Sequence, residues 1–241
     1  MKIPPIGFGT SPYRLGHPPL DVEPFVREAV AAGYRLFDVA EGYGNERAVG
    51  RALRDVPREE LVIIGKVWPT NYRANDLRHA CEGSLHRLGL DRFDFYLLHS
   101  PGAMRHIAPL EDAEEIGWDE LIRRGTSVPD DVPLGETWEA MQRLVEDGRT
   151  TNIGVSNFNA RDLDRLAGCA ANEIPCWPLD PETIAAYMRR QIHVFGYSPL
   201  QCRDASPPEV IASLIRGGIT PLTFSTNPAH IRENIAAARI A

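Results

Sequence analysis

The stretch VEPFVREAVAAGYRLFDV, residues 22–39, contains the unit that decides the fold. Its first part, Val22 to Ala32, has the apolar spacing of an amphipathic helix, and Arg35 to Val39 is a short, mostly apolar strand. The same alternation of strand and helix continues along the chain to a last helix predicted over Pro228 to Ala238. Because strands that alternate with helices in this way form parallel sheets, we expect an α/β fold.

The other strands are short apolar runs separated by helical segments. We predict them at Leu61 to Lys66, Asp94 to His99, Thr151 to Val155, His193 to Tyr197 and Ile219 to Thr223. A (β/α)₈ TIM barrel needs about 250 residues, so residues 1–241 fit one such domain. The alternative is an open doubly wound sheet with a glycine-rich fingerprint. Gly7-Phe8-Gly9 lacks the third glycine of that fingerprint, which favours the barrel.

Composition is that of an ordinary globular protein, with 43% hydrophobic and 24% charged residues, which excludes a disordered chain. The net charge is −7 and no basic stripe is found, so no nucleic-acid partner is expected. No apolar run approaches the roughly 18 residues of a membrane span, and Met1 to Thr10 does not resemble a signal peptide. Four scattered cysteines without a CxxC pair predict reduced thiols, no metal site and a cytoplasmic location.

Polar residues stand where the predicted strands end. Asp38 ends one strand, Tyr43 follows five residues later, Lys66 ends the next strand and His99 the one after. In a parallel barrel the carboxyl ends of the strands converge, so these four side chains are expected in one pocket. An ammonium beside a phenol lowers the pKa of the phenol, a carboxylate orients the ammonium, and a histidine can donate a hydrogen bond to a substrate oxygen. Such a group suits protonation of a carbonyl oxygen while hydride arrives at the carbon.

Several motifs, in this order, resemble the signature of the aldo-keto reductases. They are Gly33 to Ala40, Tyr43 to Glu46, Gly65 to Trp68, Ser84 to Leu90, Asp94 to Pro101, Glu136 to Trp138, Gly154 to Phe158, Tyr197 to Leu200 and Ile231 to Asn234. The resemblance covers nearly the whole chain. It implies a (β/α)₈ barrel that reduces an aldehyde or ketone with hydride from NAD(P)H. By the same resemblance Tyr43 is the proton donor, Lys66 and Asp38 tune it, and His99 orients the carbonyl.

The resemblance also implies where the cofactor, NADP or NAD, would bind. Ser156 and Asn157 would contact the nicotinamide carboxamide, and Tyr197 would stack on the nicotinamide ring. The further cofactor residues implied are Gly9, Thr10, Ser198, Leu200, Ser225, Thr226, His230, Glu233 and Asn234. The family usually places a lysine and an arginine at the 2′-phosphate, where this chain has Phe224 and His230. The preference between NADP and NAD therefore stays open.

For the substrate, the resemblance implies a pocket under a long loop at residues 101–135, which interrupts the strand–helix alternation. Two positions where the family often has tryptophan hold serine here, so we expect a wider and more polar pocket. The candidate contacts are Ser11, Trp68, Ser100 and Trp118, with Arg105 and His106 as further candidates on the loop. The expected partner is a small-molecule carbonyl substrate, and the chain is expected to be a monomer or weak oligomer.

Part of the family pattern is not found in the sequence. Between Trp177 and Pro178 the family has a strand with a glutamine that binds the carboxamide and a following glutamate. Between Cys202 and Arg203 it has a longer loop and more helix, and the chain ends at Ala241, before the usual C-terminal segment. Either the protein has lost these segments, or the segments are mobile and absent from this sequence. We favour the second alternative, because a barrel without its sixth strand would have an open edge and unpaired backbone groups. The cofactor-side loops are accordingly expected to be missing or disordered.

Two other functions stay open at this stage. A non-redox acid/base enzyme, such as an isomerase, epimerase or lyase, could use Tyr43, Lys66 and His99 on the same barrel if the cofactor site is impaired. A binding or regulatory subunit could keep the barrel without turnover. The first would bind no dinucleotide, and the second would copurify with a stable partner.

Overall fold

Eight parallel strands close into a barrel in the computed structural model, which describes residues 2–11, 20–106, 128–201 and 205–241. Each strand pairs with the next along the chain, and β8 closes on β1 with Gly7 opposite Leu222. Strands β1 to β8 are Gly7–Gly9, Leu36–Asp38, Val62–Val67, Phe93–Leu98, Thr150–Ser156, Ala171–Pro175, His193–Tyr197 and Ile219–Thr223. The predicted (β/α)₈ barrel is confirmed.

A helix follows every strand within the described residues. Helices α1 to α8 are Glu23–Ala32, Glu46–Leu53, Ala74–Leu88, Leu134–Glu146, Ala160–Leu163, Pro181–Arg189, Pro207–Arg216 and Pro228–Arg239. Helices α5, α6 and α8 follow residues that cap them with a side chain, because Asn159, Asp180 and Asn227 each accept a hydrogen bond from a backbone N–H of the first turn. Before α7, the Ser206 backbone N–H donates to the Glu209 carboxylate at 2.9 Å. No helix of the described ranges is long and apolar enough to cross a membrane.

The sixth strand is present, so the prediction that its residues are absent from the sequence was wrong. Residues 171–175 pair with β5 on one side and with β7 on the other, and the chain continues directly from Trp177 to Pro178. The strand was overlooked because it carries Asn172 and Glu173 and no glutamine. The predicted shortening at Cys202 lies outside the described residues.

Two apolar layers hold the barrel together. The layer inside the barrel contains Leu36, Val62, Ile64, Phe95, Leu97, Ala171, Phe195 and Leu222. The larger outer layer lies between strands and helices and includes Phe37, Ile63 and Met141. Because successive side chains of a strand point to opposite faces, neighbours such as Leu36 and Phe37 belong to different layers. The inner layer fills the barrel floor, so polar side chains find space at the carboxyl ends of the strands.

The long segment between β4 and α4 is described at its two ends. Met104 and Pro129 form an antiparallel bridge, and the Arg105 backbone N–H donates to the Val128 carbonyl oxygen at 2.7 Å. The ring Nδ1 of His106 lies 3.1 Å from the Thr70 carbonyl oxygen and 3.4 Å from the Asp76 carboxylate at the start of α3. Residues 107–127, and with them the predicted contact Trp118, lie outside the described residues.

Gly50 sets the distance between α2 and α3, which yields a test of the packing. A Cβ at this position would lie 2.5 Å from the Leu88 carbonyl oxygen and 2.8 Å from its carbon. Since both atoms are backbone, the helices must separate, and Gly50→Ala should lower the free energy of unfolding by about 1–3 kcal/mol in urea titrations. Gly135→Ala in α4 is the matched control, because its Cβ would meet no heavy atom within 4 Å. Equal effects of the two substitutions would contradict this role of Gly50.

Candidate active site

The carboxyl ends of the strands carry a ring of polar side chains above the inner apolar layer. They are Asp38, Lys66, His99, Glu173 and Tyr197. Each follows by two positions a residue of the inner layer, namely Leu36, Ile64, Leu97, Ala171 and Phe195. Because side chains alternate along a strand, the ring side chains point to the same interior side as those residues. The strand period thus explains why residues far apart in the sequence meet here.

Lys66 is the centre of a buried charge cluster. Its Nζ donates a short hydrogen bond to Asp38 Oδ1 and a second, of 3.0 Å, to Glu173 Oε2. The three side chains are 0%, 4% and 2% exposed, respectively. Burial would lower the pKa of Lys66, but the charges of Asp38 and Glu173 raise it above the ordinary value. Lys66 therefore stays an ammonium.

The two carboxyl groups of the cluster hold their protons more tightly than usual. Loss of water, followed by the negative charge of Asp38, raises the pKa of Glu173 to about 8. Loss of water also raises the pKa of Asp38, although the Lys66 ammonium lowers it in part. Because the two groups interact, the protonation of one depends on that of the other.

Tyr43 lies beside the ammonium, as the sequence predicted. The Lys66 Nζ is 5.1 Å from the centroid of the Tyr43 ring. This tyrosine ends the short 3-10 turn Glu41–Tyr43, and Gly44 follows it with a left-handed φ of 63°, which favours glycine. Lys66 lowers the pKa of Tyr43, as expected, but this effect does not decide the net direction of the shift. Burial raises the pKa of Tyr43 well above its ordinary value, the charge of Asp38 raises it further, and the opposing effect of Lys66 is smaller.

His99 completes the group as a neutral imidazole. Its ring meets the Tyr43 ring edge to face, with centroids 5.7 Å apart, and meets the Trp68 ring in the same way at 5.1 Å. Burial and the charge of Lys66 lower the pKa of His99 to about 3. A neutral imidazole carries one N–H, so His99 can donate a hydrogen bond without carrying charge.

Glu41 ties the Tyr43 turn to the Trp68 loop. Its carboxylate accepts a 3.0 Å hydrogen bond from the Trp68 backbone N–H and a 2.8 Å hydrogen bond from the Asn71 side chain. Gly42 faces the Trp68 ring so closely that a Cβ there would lie 2.7 Å from it. These contacts fix where Trp68 stands against His99.

A polar network covers the neighbouring ends of β5, β6 and β7. Ser156 Oγ donates to the Glu173 carbonyl oxygen at 3.0 Å. The Asn157 side-chain amide donates to Ser156 Oγ at 3.0 Å and to the His99 carbonyl oxygen at 3.1 Å. The Tyr197 hydroxyl donates to Asn157 Oδ1 at 2.9 Å. Ser156, Asn157 and Tyr197, predicted as nicotinamide contacts, therefore lie together.

A cavity of about 790 Å³ opens above this group. Most of the residues predicted for the site line it: Asp38, Tyr43 and His99; Ser11, Trp68 and Ser100; and Gly9, Ser156, Asn157, Tyr197, Ser198 and Leu200. Glu173, which was not among the predicted site residues, also lines the cavity. Its signal was a polar pair, Asn172 and Glu173, within a short strand that was not recognised.

The remaining predicted cofactor residues lie elsewhere. Thr10 is buried, and its Oγ1 donates to the Asp38 carbonyl oxygen at 2.8 Å, so it supports the end of β2. Ser225, Thr226, His230, Glu233 and Asn234 lie at the end of β8 and in α8; Asn234 is buried there. Their roles with the cofactor stay predictions.

The residues of the cavity fit a nicotinamide ring. The half-buried Tyr197 ring forms an aromatic wall, and Ser156 and Asn157 place hydrogen-bonding groups beside it. Pockets that bind small molecules commonly combine aromatic surface with a few polar groups in this way. The end of β8 has different chemistry. Phe224 packs against Phe8 and Phe25 with ring centroids 5.7 and 6.4 Å apart, and Arg232 forms an ion pair with Glu28.

Comparisons with known proteins identify the family of the chain and agree with its fold. Residues 5–202 match the model of the Aldo/keto reductase family. The chain is 36% identical to an uncharacterized oxidoreductase of Schizosaccharomyces pombe, with 89% of this chain and 65% of the yeast protein covered. It is 30% identical to aldo-keto reductase family 1 member A1-A of Danio rerio, covering 98% of this chain and 81% of that protein. The structure of an aldose reductase from Giardia lamblia superposes with a TM-score of 0.81 at 27% identity, covering 100% of this chain and 89% of that one. The chain belongs to the aldo/keto reductase family.

Proposed function

We propose that this protein reduces an aldehyde or ketone to an alcohol, with hydride from NADH or NADPH and a proton from Tyr43. One observation carries the proposal. The Tyr43 ring lies beside both the Lys66 ammonium and the neutral His99 ring, at the wall of one cavity. Family membership supports the same reaction class. The chain spans 65% of the length of the Schizosaccharomyces pombe protein. We therefore base the proposed reaction on the residues of this chain's own site.

NADH or NADPH, when bound, supplies the hydride. As the carbonyl carbon is reduced, negative charge grows on its oxygen, and the Tyr43 hydroxyl gives its proton to that oxygen. Lys66 stabilises the phenolate that remains, since Asp38 and Glu173 keep it charged beside the ring. His99 donates a hydrogen bond to the same oxygen. Ser156, Asn157 and Tyr197 would hold the nicotinamide.

The direct test follows NADH and NADPH oxidation with a panel of aldehydes and ketones. We expect turnover of at least one carbonyl class, together with quenching of protein fluorescence by the dinucleotide. Absence of both would overturn the proposal and favour the non-redox acid/base enzyme.

Cofactor preference yields a separate prediction. A 2′-phosphate is normally bound by cations, but among the described residues at the end of β8, Phe224 packs on aromatic rings and Arg232 is paired with Glu28. NADPH should therefore bind at most about tenfold more tightly than NADH, a difference of about 1.4 kcal/mol. Fluorescence titration of both cofactors measures this. As a control, Arg232→Ala should leave the ratio of the NADH and NADPH dissociation constants unchanged. If the wild type preferred NADPH and this variant lost that preference, the prediction would be contradicted.

We further propose a small-molecule carbonyl substrate, a cytoplasmic location and a monomer or weak oligomer. Cys81, Cys169 and Cys176 are free thiols, a state that a reducing compartment maintains. Cell fractionation and light scattering of the purified protein test the location and the oligomeric state.

A further inference from the structure

Glu173 gives the charge cluster one carboxyl group more than a single lysine can neutralise. Its Oε2 lies 3.0 Å from Lys66 Nζ, and Asp38 contacts the same Nζ by a shorter hydrogen bond. Since both carboxyl groups contact the same Nζ, they are also close enough to interact with each other. A hydrogen bond between them would need a proton, because ionised carboxylates only accept hydrogen bonds.

The charge balance requires the same proton. With both carboxyl groups ionised, the cluster would carry one net negative charge in a region where all three side chains are at most 4% exposed. An unbalanced buried charge is unfavourable, and a buried group takes up a proton instead. Burial and the negative charge of Asp38 raise the pKa of Glu173, so we place the proton mainly on Glu173.

We propose that Glu173 is a positioning residue that shares a proton with Asp38, and that this proton sets how strongly the Lys66 charge acts on Tyr43. With the proton in place the cluster is neutral overall. When it leaves, the additional negative charge opposes Lys66, and Tyr43 becomes a weaker acid. Carbonyl reduction should then become slower. This consequence rests on the proposed function, but the shared proton itself does not depend on that function.

Among the described residues, the titratable groups around Glu173 are Asp38 on β2, Tyr43 after β2, Lys66 on β3, His99 directly after β4 and Tyr197 on β7. Apart from Asp38, which interacts with Glu173, these groups titrate outside the range near pH 8. The pKa values of Lys66, Tyr43 and Tyr197 are raised, and that of His99 is lowered to about 3. The carboxyl pair, with the pKa of Glu173 at about 8, is thus the group of this set that loses a proton near neutral pH.

Infrared spectroscopy of the protein without cofactor tests the proton itself. Wild type should show the C=O stretch of a buried, protonated carboxylic acid, which disappears as the pH is raised through about 8. The band should be absent from Glu173→Gln, whose amide can still accept from Lys66 and donate to Asp38. Glu139→Gln, at an exposed position of α4, is the matched control and should keep the band. Because the wild-type titration needs no variant, a failure of Glu173→Gln to fold leaves the test intact.

Thermal stability gives a second readout that does not depend on turnover. A carboxyl group whose pKa is higher in the folded state than in the unfolded state stabilises the fold. This contribution is complete at a pH below the pKa of the unfolded state, and it is lost as the pH rises through the pKa of the folded state. The Tm of Glu173→Gln relative to wild type should therefore increase between about pH 5 and pH 9. A flat difference, together with a missing acid band, would overturn the proposal.

The pH profile of turnover connects the proton to the reaction. In wild type, kcat for carbonyl reduction should fall as the pH passes about 8, and this fall should be absent or moved to higher pH in Glu173→Gln. An unchanged alkaline limb in the variant would overturn the role of Glu173 toward Tyr43. If the acid band and the Tm difference are found but no carbonyl is reduced, the proposed function fails and the shared proton stands.

Discussion

Tyr43→Phe should lower kcat for carbonyl reduction by about 10²–10⁴-fold, which is the contribution of a positioned general acid. The phenyl ring keeps the edge-to-face contact with His99 and the position near Lys66, so the site loses a proton donor without losing its packing. NADH and NADPH affinities should stay nearly unchanged. Steady-state kinetics with saturating cofactor, combined with fluorescence titration, separate the two effects.

Tyr187→Phe is the matched control for this prediction. Its buried hydroxyl donates to the Phe158 carbonyl oxygen at 2.9 Å, away from the proton-donor group. The control should lose about 1 kcal/mol of stability from one hydrogen bond and keep its turnover. If Tyr43→Phe retained turnover within about tenfold of wild type, Tyr43 would not be the proton donor.

Lys66→Met should combine a loss of turnover with a large loss of stability. The substitution leaves Asp38 and Glu173 buried without their cation, and breaking a buried ion pair in this way costs about 3–5 kcal/mol. Without the ammonium, both carboxyl groups hold their protons more strongly in the folded state. Groups with raised pKa values stabilise the fold at low pH, and this stabilisation is lost as the pH rises. The loss of stability of Lys66→Met relative to wild type should therefore be larger at about pH 8 than at about pH 5.

Urea unfolding at the two pH values measures this effect. Adding Glu173→Gln to Lys66→Met removes one of the two unbalanced carboxyl groups, so the double variant should recover part of the stability at the higher pH. Turnover should not recover with it, because the ammonium beside Tyr43 is still absent. A stability defect equal at both pH values would show that lost packing, and not unbalanced charge, dominates.

Much of the barrel could be predicted because its pattern is local. Segments such as Phe93–Leu98 are apolar runs, and helices such as Ala74–Leu88 have a continuous apolar face, so each element is visible within its own residues. The strand β6 was missed because it has five residues, two of them polar, and lies after a helix of four residues. Its pairing with β5 and β7, which the local sequence does not encode, makes it a strand.

The residue types at and just after the strand ends predicted the proposed class of chemistry without any coordinates. An acid, a tyrosine, a lysine and a histidine in that order are expected to meet, because the carboxyl ends of the strands of a parallel barrel converge. Such a group suits proton transfer to a carbonyl oxygen. Tertiary structure alone decided the electrostatic balance. Glu173 is separated from Lys66 by 107 residues, yet it reaches the same ammonium. The sign of the Tyr43 pKa shift follows from burial and from all charges within reach, and these depend on how the closed barrel excludes water, which local sequence patterns do not show.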